Sequence, residues 1–298
     1  MSDFMITVFG IVGYSVFMEV ENFHKKGETL ISNIMHEEIG AKGFNQALTL
    51  AYQGVNVNFI CSLGDDVFSK LVKNDLKKYN INYYIKEKKG KAPFACILTN
   101  SKGNNQVTVF PGVKLELEDL DFIEIEEIIK KSDLVLLQLE IPNEINFKVI
   151  EIANKYKVKV ILNPAPSKNF VSDYFKYSLL MTPNEHEVKD IFKIENLNDY
   201  DKVKSRFKEK GVQEIVITLG EKGALIYDGK FRHIATTPLK AIDTTGAGDI
   251  FNGILAYMLV KGNTLYDSVL TANALASQSV LKKYVLEAIP TLEDIKKN

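Results

Sequence analysis

The run Asp243-Thr244-Thr245-Gly246-Ala247-Gly248-Asp249 places two glycines around one alanine and ends in an acid. An apolar segment from Ile250 to Val260 follows it, and Gly262 comes shortly after. This pattern predicts a tight glycine turn that opens into a buried helix, with Gly262 ending the helix.

The start of that helix would suit an anion. Its first turn carries unpaired N–H groups and the positive end of the helix dipole, and glycines let an anion come close to both. The Asp249 carboxylate could then take a proton from a hydroxyl while the N–H groups hold a phosphoryl group in transfer. An ordinary helix start, with Asp249 as a first-turn acid, fits the local residues about equally well.

A second glycine loop is Gly40-Ala41-Lys42-Gly43-Phe44-Asn45-Gln46-Ala47, which leads into a helix of small and apolar residues ending at Gly54. The helix dipole disfavours a cation at this end, so Lys42 suggests a functional role. After Leu134, strands alternate with helices, which predicts a mainly parallel sheet covered on both faces. Ligands in such sheets gather beyond the carboxyl ends of the strands.

Polar residues follow three of these predicted strand ends. Glu140 follows one, where an acid could simply finish the strand, and the Thr218-Leu219-Gly220 turn follows another and also fits a hairpin. In Thr182-Pro183-Asn184-Glu185-His186-Glu187 we expect Thr182 to cap a helix, with Pro183 first in it and Glu185 closing a capping box. Asn184 and Glu187 would then be left on one face of the helix.

Together, these stretches resemble the ribokinase-like (pfkB) sugar kinase family over nearly the whole chain, from Met5 to Pro290. The resemblance implies an α/β ribokinase-like fold: one kinase domain over residues 1–298, with a mainly parallel central sheet, helices on both faces and a small β-sheet lid. The lid is expected from residues 14–36 and 81–112, where alternating strands flank Ser101-Lys102-Gly103-Asn104-Asn105. It further implies transfer of the γ-phosphoryl group of ATP, with Mg²⁺, to a primary alcohol of a carbohydrate.

The resemblance also implies a role for individual residues. Asp249 would be the catalytic base, and the amides of Gly246, Ala247 and Gly248 would form the anion hole. Substrate contacts would come from Gly13, Ser15, Gly40, Ala41, Lys42, Asn45 and Glu140. ATP contacts would come from Asn184, Thr218, Gly220 and Asn273, and Glu187 would act indirectly on Mg²⁺.

The sequence departs from the family pattern at the sugar site. Gly13 and Ser15 stand where ribokinases carry an asparagine and an aspartate, and that aspartate grips ribose hydroxyls. We therefore expect free ribose to be a poor substrate, with Gly13 freeing room and Tyr14 offering an aromatic face to a bulkier polyol. Ala41 replaces the second glycine of its loop, and its methyl group could crowd the sugar.

A second departure concerns the monovalent cation, such as K⁺, that the resemblance implies. Asp243 and Thr245 could offer oxygens to it. Tyr284 and Ala288, however, replace the glycine and the serine that surround potassium in ribokinases.

Composition limits the other classes of function. The 298 residues are 46% hydrophobic and 25% charged, as in a globular protein, and a net charge of −1 gives no electrostatic case for nucleic acid or an anionic membrane. Cys61 and Cys96 form no Cys-x-x-Cys motif, so we expect reduced thiols and a cytoplasmic protein. The four histidines are not paired at zinc-site spacing, and no apolar run reaches ~18 residues.

Three other functions compete with that of a sugar kinase. Gly10-Ile11-Val12-Gly13 lacks the full Gly-x-Gly-x-x-Gly and precedes a strand rather than a helix, which disfavours a dehydrogenase. A nucleoside kinase of the same family stays open. A sugar sensor that lost turnover would have no need of Asp249. By family analogy, the lid would also pair two subunits in a homodimer.

Overall fold

The computed structural model describes residues 4–79, 81–101, 105–237, 239–291 and 293–294. The strands are β1 (Met5–Phe9), β2 (Gly13–Val20), β3 (Met35–Gly40), β4 (Asn56–Leu63), β5 (Asn82–Glu87), β6 (Phe94–Asn100), β7 (Asn105–Phe110), β8 (Leu134–Gln138), β9 (Lys159–Asn163), β10 (Leu180–Met181), β11 (Glu214–Thr218), β12 (Ala224–Tyr227) and β13 (Phe231–Ile234). The α-helices are α1 (Lys42–Tyr52), α2 (Val67–Leu76), α3 (Phe122–Lys130), α4 (Asn143–Lys155), α5 (Glu185–Phe192), α6 (Tyr200–Glu209), α7 (Ala247–Val260), α8 (Leu265–Ser279) and α9 (Val285–Ala288).

The larger of two sheets runs in the order β13-β12-β11-β10-β9-β8-β1-β4-β5. From β11 to β5 every neighbouring pair is parallel, whereas β12 and β13 continue the sheet as antiparallel strands. The predicted alternation of strands and helices after Leu134 is therefore observed.

Helices cover both faces of this sheet, as alternate strand residues show. In β8, Leu134 and Leu136 join a core with residues of α1, α7 and α8. Val135 and Leu137 point the other way, into a core with residues of α3 to α6. Side chains alternate along a strand, so a strand buried on both faces reads as a continuous apolar run.

The smaller sheet has the order β3-β2-β6-β7. It is mixed, because β2 pairs antiparallel with β3 but parallel with β6, and β6 pairs antiparallel with β7. The expected lid ranges need two corrections. β3 extends the sheet to Gly40, and β5 belongs to the main sheet, where it pairs parallel with β4.

The misassignment of β5 has a physical cause. The alternation of polar and apolar residues in β5 is that of any half-buried strand. It does not show to which sheet the strand belongs. Here Tyr83 and Ile85 pack against the main core. In the described part of the chain, no helix is long and apolar enough to cross a membrane.

Candidate active site

Asp249 lies in the first turn of α7 and is buried, with 5% of its surface exposed. Two amide groups of α1 donate to its carboxylate: Asn45 Nδ2 to Oδ2 at 3.0 Å and Gln46 Nε2 to Oδ1 at 3.2 Å. Gln46 also contacts Gln138 and Asn163, the last residues of β8 and β9. The site therefore lies beyond the carboxyl ends of the parallel strands, as predicted.

A close approach of α1 and α7 brings these groups together. A Cβ at Gly253 would stand 2.6 Å from Thr49 Cβ, closer than real Cβ atoms approach other atoms, and also 3.2 Å from Gln46 O. Glycine at this position lets the two helices touch through backbone. Gly253 thus helps to set the distance between Asp249 and its two amide donors.

The loop before α7 has the geometry of an anion site. Gly246 is the N-cap of α7 with φ of 76°, and Asp249 N donates to Gly246 O at 2.9 Å. Gly248 is exposed, and no atom lies within 4 Å of the position that a Cβ would take there. The first turn is therefore open on the side of Gly248, where backbone N–H groups and the helix dipole favour negative charge.

Lys42, the first residue of α1, lies among three carboxylates. Its pKa is raised, chiefly by Asp249 and also by Glu140 and Glu187. Burial raises the pKa of Asp249, while Lys42 and the two amide donors oppose that rise. Burial also raises the pKa of Glu140 to about 7, and it raises that of Glu187. Each carboxylate is thus poised between desolvation, which favours the neutral form, and a cation that favours the charged form.

Several of the predicted substrate residues share one wall. A Cβ at Gly40 would lie 3.4 Å from Ser15 Oγ and 3.8 Å from Asn45 Oδ1, so these two oxygens face the same spot. Asn45 Oδ1 is buried and has no hydrogen-bond partner among the described residues. Glu140 joins them through Gly43, whose N–H donates to Glu140 Oε2 at 3.4 Å. A buried acceptor without a donor is a place for a ligand hydroxyl.

Two expectations about this wall were wrong. Gly13 frees no room, because a Cβ there would stand 2.5 Å from Pro93 O, so main chain fills the space. Tyr14 offers no aromatic face, because it is 7% exposed and packs against Phe68 with 5.2 Å between ring centroids.

Ala41 is the N-cap of α1 with φ of 110° and ψ of 157°. Residues other than glycine rarely adopt this backbone conformation.

The predicted nucleotide residues are only partly brought together. Asn184 and Thr218 pair as an isolated parallel bridge, and Gly220 is exposed with φ of 58° in the turn after β11. Asn273 lies on α8, where its Nδ2 donates to Ala235 O at 3.4 Å. Its amide is therefore engaged within the protein.

The cap of α5 differs from the prediction. The N-cap is Asn184 rather than Thr182, and it forms a capping box with Glu187: Glu187 N donates to Asn184 Oδ1 at 2.9 Å and Asn184 N to Glu187 Oε2 at 2.8 Å. Thr182 instead donates to Asn252 Oδ1 at 2.6 Å. Glu187 is thus placed by the helix start, and one of its oxygens is already used.

The residues around Asp243 fit a monovalent cation poorly. Both carboxylate oxygens accept main-chain amides, Oδ1 from Thr245 at 2.9 Å and Oδ2 from Tyr284 at 3.1 Å. Glu38 accepts the next two amides, Val285 N at 3.1 Å and Leu286 N at 3.3 Å. Side chains therefore already hold the segment that would surround the ion.

Sequence reasoning missed the roles of two groups. Gln46 and Gln138 lie behind Asp249, although Gln46 stands in the quoted glycine loop next to Asn45. Glu38 is buried at 4% exposure, and burial raises its pKa against the two amides it accepts. Nothing in the sequence around Glu38 indicates that its partners are the distant main-chain amides of Val285 and Leu286.

A sequence model described as "pfkB family carbohydrate kinase" matches residues 3–292. The chain belongs to this family. The ribokinase of Haemophilus influenzae is 33% identical over 97% of this chain and 96% of that protein. The deoxyribokinase of Salmonella typhi is 31% identical over 90% of both proteins. The solved ribokinase of Thermotoga maritima superposes with a TM-score of 0.85 at 32% identity, over 99% of this chain and 98% of that one.

These comparisons confirm the ribokinase-like fold and the predicted class of activity. The protein is an ATP-dependent kinase of the pfkB family that acts on a sugar or nucleoside hydroxyl.

Proposed function

We propose that Asp249 is the general base that accepts the proton of a carbohydrate hydroxyl while the first turn of α7 holds the transferred phosphoryl group. The observation that carries this proposal is a buried carboxylate in the open first turn of a helix, with two amide donors and Lys42 beside it. An ordinary first-turn acid is solvated and needs no such surroundings.

The surroundings suit proton transfer. Burial favours the neutral form of Asp249, and a neutral acid accepts no proton. Lys42, Asn45 and Gln46 each oppose burial by favouring the charged form, in which the carboxylate can act as a base. A base works best when its pKa is raised toward the working pH, and general-base catalysis typically contributes ~10²–10⁴-fold in rate.

For the substrate, we propose a carbohydrate held by Asn45 Oδ1, Ser15 Oγ and Glu140. Ser15 offers a short neutral hydroxyl at the position where the family pattern has a carboxylate, so ribose hydroxyls would lose a charged acceptor. A hydrogen bond to a charged group contributes roughly 1.5–3 kcal/mol, which is about 10- to 100-fold in affinity. Ribose is therefore expected to be a poor substrate, and a sugar with fewer or differently placed hydroxyls a better one.

The cofactors in this proposal are ATP and Mg²⁺. Mg²⁺ usually keeps several waters and takes one or two carboxylates together with substrate phosphates. The described residues contain no group of three or more His, Cys, Asp or Glu side chains that could cage a metal, so nucleotide phosphates would supply most ligands. Glu187 and Asn184 would bind its waters, Thr218 and Gly220 would contact the phosphates, and K⁺ has no part in the proposed mechanism.

We also propose that two copies pair through the smaller sheet. Every residue of its edge strand β7 is exposed, including Val107 at 56%, Val109 at 59% and Phe110 at 49%. An exposed apolar edge strand is an aggregation hazard unless another chain covers it. Sedimentation of the protein with Val107 and Val109 replaced by lysine tests this, because the substitutions should convert a dimer into a monomer.

The central test replaces Asp249 by Asn, which keeps the shape and removes the base. The enzyme would be incubated with ATP and a panel of ribose, deoxyribose, hexoses and nucleosides, and ADP release would be followed. Turnover should fall ~10²–10⁴-fold while ATP binding is retained. Asp267→Asn is the matched control, because Asp267 is an exposed first-turn acid of α8. Asp249→Asn turnover above about a tenth of wild type would exclude Asp249 as the base.

A further inference from the structure

Gln46 is fully buried beneath Asp249, and every polar atom of its side chain is used. Its Nε2 donates to Asp249 Oδ1 at 3.2 Å and to Asn163 Oδ1 at 3.4 Å. Its Oε1 accepts from Gln138 Nε2 at 2.7 Å. An amide has two N–H donors and one carbonyl, so this set satisfies the side chain with one geometry.

The orientation of the amide follows from its neighbours. Thr182 O is a carbonyl and can only accept, so Asn163 must turn its Nδ2 toward it, at 3.2 Å. Asn163 Oδ1 then faces Gln46, which must present its own N–H groups to both Asn163 and the Asp249 carboxylate. The donor aimed at Asp249 is therefore fixed by residues from the ends of β9 and β10.

The same chain of hydrogen bonds continues to the anion loop. Thr182 Oγ1 donates to Asn252 Oδ1 at 2.6 Å, and Asn252 Nδ2 donates to Gly248 O at 2.8 Å. One network of side chains thus reaches the carboxylate of Asp249 at one end and the backbone of Gly248 at the other. Gln46, Asn163, Thr182 and Asn252 are each held by hydrogen bonds in this network, whereas Gln138 Oε1 is buried without a partner among the described residues.

We propose that Gln46 is a positioning residue for the reaction: its Nε2 fixes the rotamer of the Asp249 carboxylate, and Gln138 and Asn163 fix the orientation of the Gln46 amide in turn. This inference rests on Asp249 acting as the base. It assigns the reaction a residue behind the carboxylate, on the side away from the open first turn of α7.

The proposal predicts a specific change in titration. Loss of the Gln46 donor removes a hydrogen bond that favours the charged form, so the pKa of Asp249 rises. The other charged groups that act on Asp249 are Lys42 of α1, which opposes the rise, and two carboxylates, Glu140 after β8 and Glu187 of α5. Because Glu140 titrates near pH 7, a pH–rate profile alone would mix the two groups.

The experiment therefore observes Asp249 directly. The protein is labelled with ¹³C at aspartate side-chain carboxyls only, so that glutamates are silent, and the signal missing from Asp249→Asn identifies Asp249. Gln46→Met keeps the length of the side chain and removes its donors. The titration midpoint should move up by about one pH unit or more, since a hydrogen bond to a charge is equivalent to one to two units. At neutral pH, kcat should fall about 10- to 100-fold.

Gln53→Met is the matched control, because Gln53 is a buried glutamine at the C-cap of the same helix and donates to Pro290 O at 2.7 Å, away from Asp249. It should leave the midpoint unchanged. If Gln46→Met does not fold, Gln138→Met leaves Gln46 in place but frees its carbonyl, and a smaller shift in the same direction is expected. A midpoint within about 0.3 units of wild type in the folded variant would overturn the proposal. The activity of Asp249→Asn separately decides whether Asp249 is the base.

Discussion

Gly246 and Gly262 lie at the two ends of α7, and alanine substitutions at these glycines would measure how tightly the anion loop is packed. Gly246 at its start and Gly262 after its end both have a positive φ, of 76° and 84°. Their surroundings differ. A Cβ at Gly246 would lie 2.6 Å and 2.8 Å from the two methyl carbons of Val285, whereas nothing lies within 4 Å of a Cβ at Gly262.

The expected magnitudes follow from this difference. Alanine with a left-handed backbone costs roughly 1–2 kcal/mol, so Gly262→Ala should lower the free energy of unfolding by about that amount. Gly246→Ala carries the same strain and adds overpacking of typically 1–3 kcal/mol, for a total of about 2–5 kcal/mol. Removing the two methyl groups with Val285→Ala should restore the packing part, so the double variant should show a favourable coupling of about 1–3 kcal/mol.

Urea unfolding of the four variants and the wild type measures these free energies, and ADP release measures turnover. Turnover of Gly246→Ala should fall at least tenfold, because a displaced first turn of α7 misplaces both the anion hole and Asp249. Gly262→Ala should keep near wild-type turnover. Equal destabilisation by Gly246→Ala and Gly262→Ala, or zero coupling with Val285→Ala, would show that Val285 does not support the loop.

Three further outcomes are expected. Glu187→Gln should raise the Mg²⁺ concentration needed for half-maximal turnover more than it changes the KM of the sugar. Mg²⁺ titrations that coincide for the variant and the wild type would contradict this role of Glu187. The KM of the sugar should rise about tenfold from pH 8 to pH 6, because Glu140 with a pKa of about 7 loses its charge as the pH falls, and Glu140→Gln should flatten this dependence. Ala41→Gly should raise the free energy of unfolding by about 1 kcal/mol in urea, because relief of the backbone strain exceeds the added freedom of the unfolded chain.

The sequence was sufficient for the architecture because its signals are local. Continuous apolar runs identified buried strands such as β8, and the glycine at each end of α7 marked its limits. Assigning β5 to a sheet needed information that is not local. Its alternating residues would be the same in a lid sheet and at the edge of the main sheet. Only its pairing with β4 shows that it belongs to the main sheet.

The candidate site was predictable to the same extent. A glycine turn and a strand end indicated the positions of Asp249 and Glu140, because those follow from backbone geometry, whereas Asn45 was indicated by the resemblance to ribokinases. The bond between Gln46 and Asp249 joins residues 203 apart, and no spacing rule connects them. Expectations about space failed for a related reason: the main chain that fills the room beside Gly13 belongs to Pro93, in the segment between β5 and β6.

Ala41 and Tyr284 have unusual backbone conformations that neighbouring groups hold in place. Both stand where the ribokinase pattern has glycine, and both keep a backbone that is essentially reserved for glycine, with φ and ψ of 110° and 157° at Ala41 and 64° and 154° at Tyr284. Strain of this kind, about 1–3 kcal/mol at each residue, persists only where the surroundings over-determine the conformation. At Ala41 the carbonyl accepts Asn45 N at 2.9 Å.

At Tyr284 the amide donates to Asp243 Oδ2 at 3.1 Å, and the ring stacks on His36 with 3.5 Å between centroids. In each case a main-chain group of the strained residue contacts the site. The Ala41 carbonyl accepts the first hydrogen bond of the helix that carries Asn45, and the Tyr284 amide holds the Asp243 carboxylate before the anion loop. Each residue therefore has a glycine-type backbone although it carries a side chain. Around Tyr284 this backbone is supported from the smaller sheet, where His36 of β3 stacks on the ring and Glu38 accepts the next two amides, Val285 N and Leu286 N.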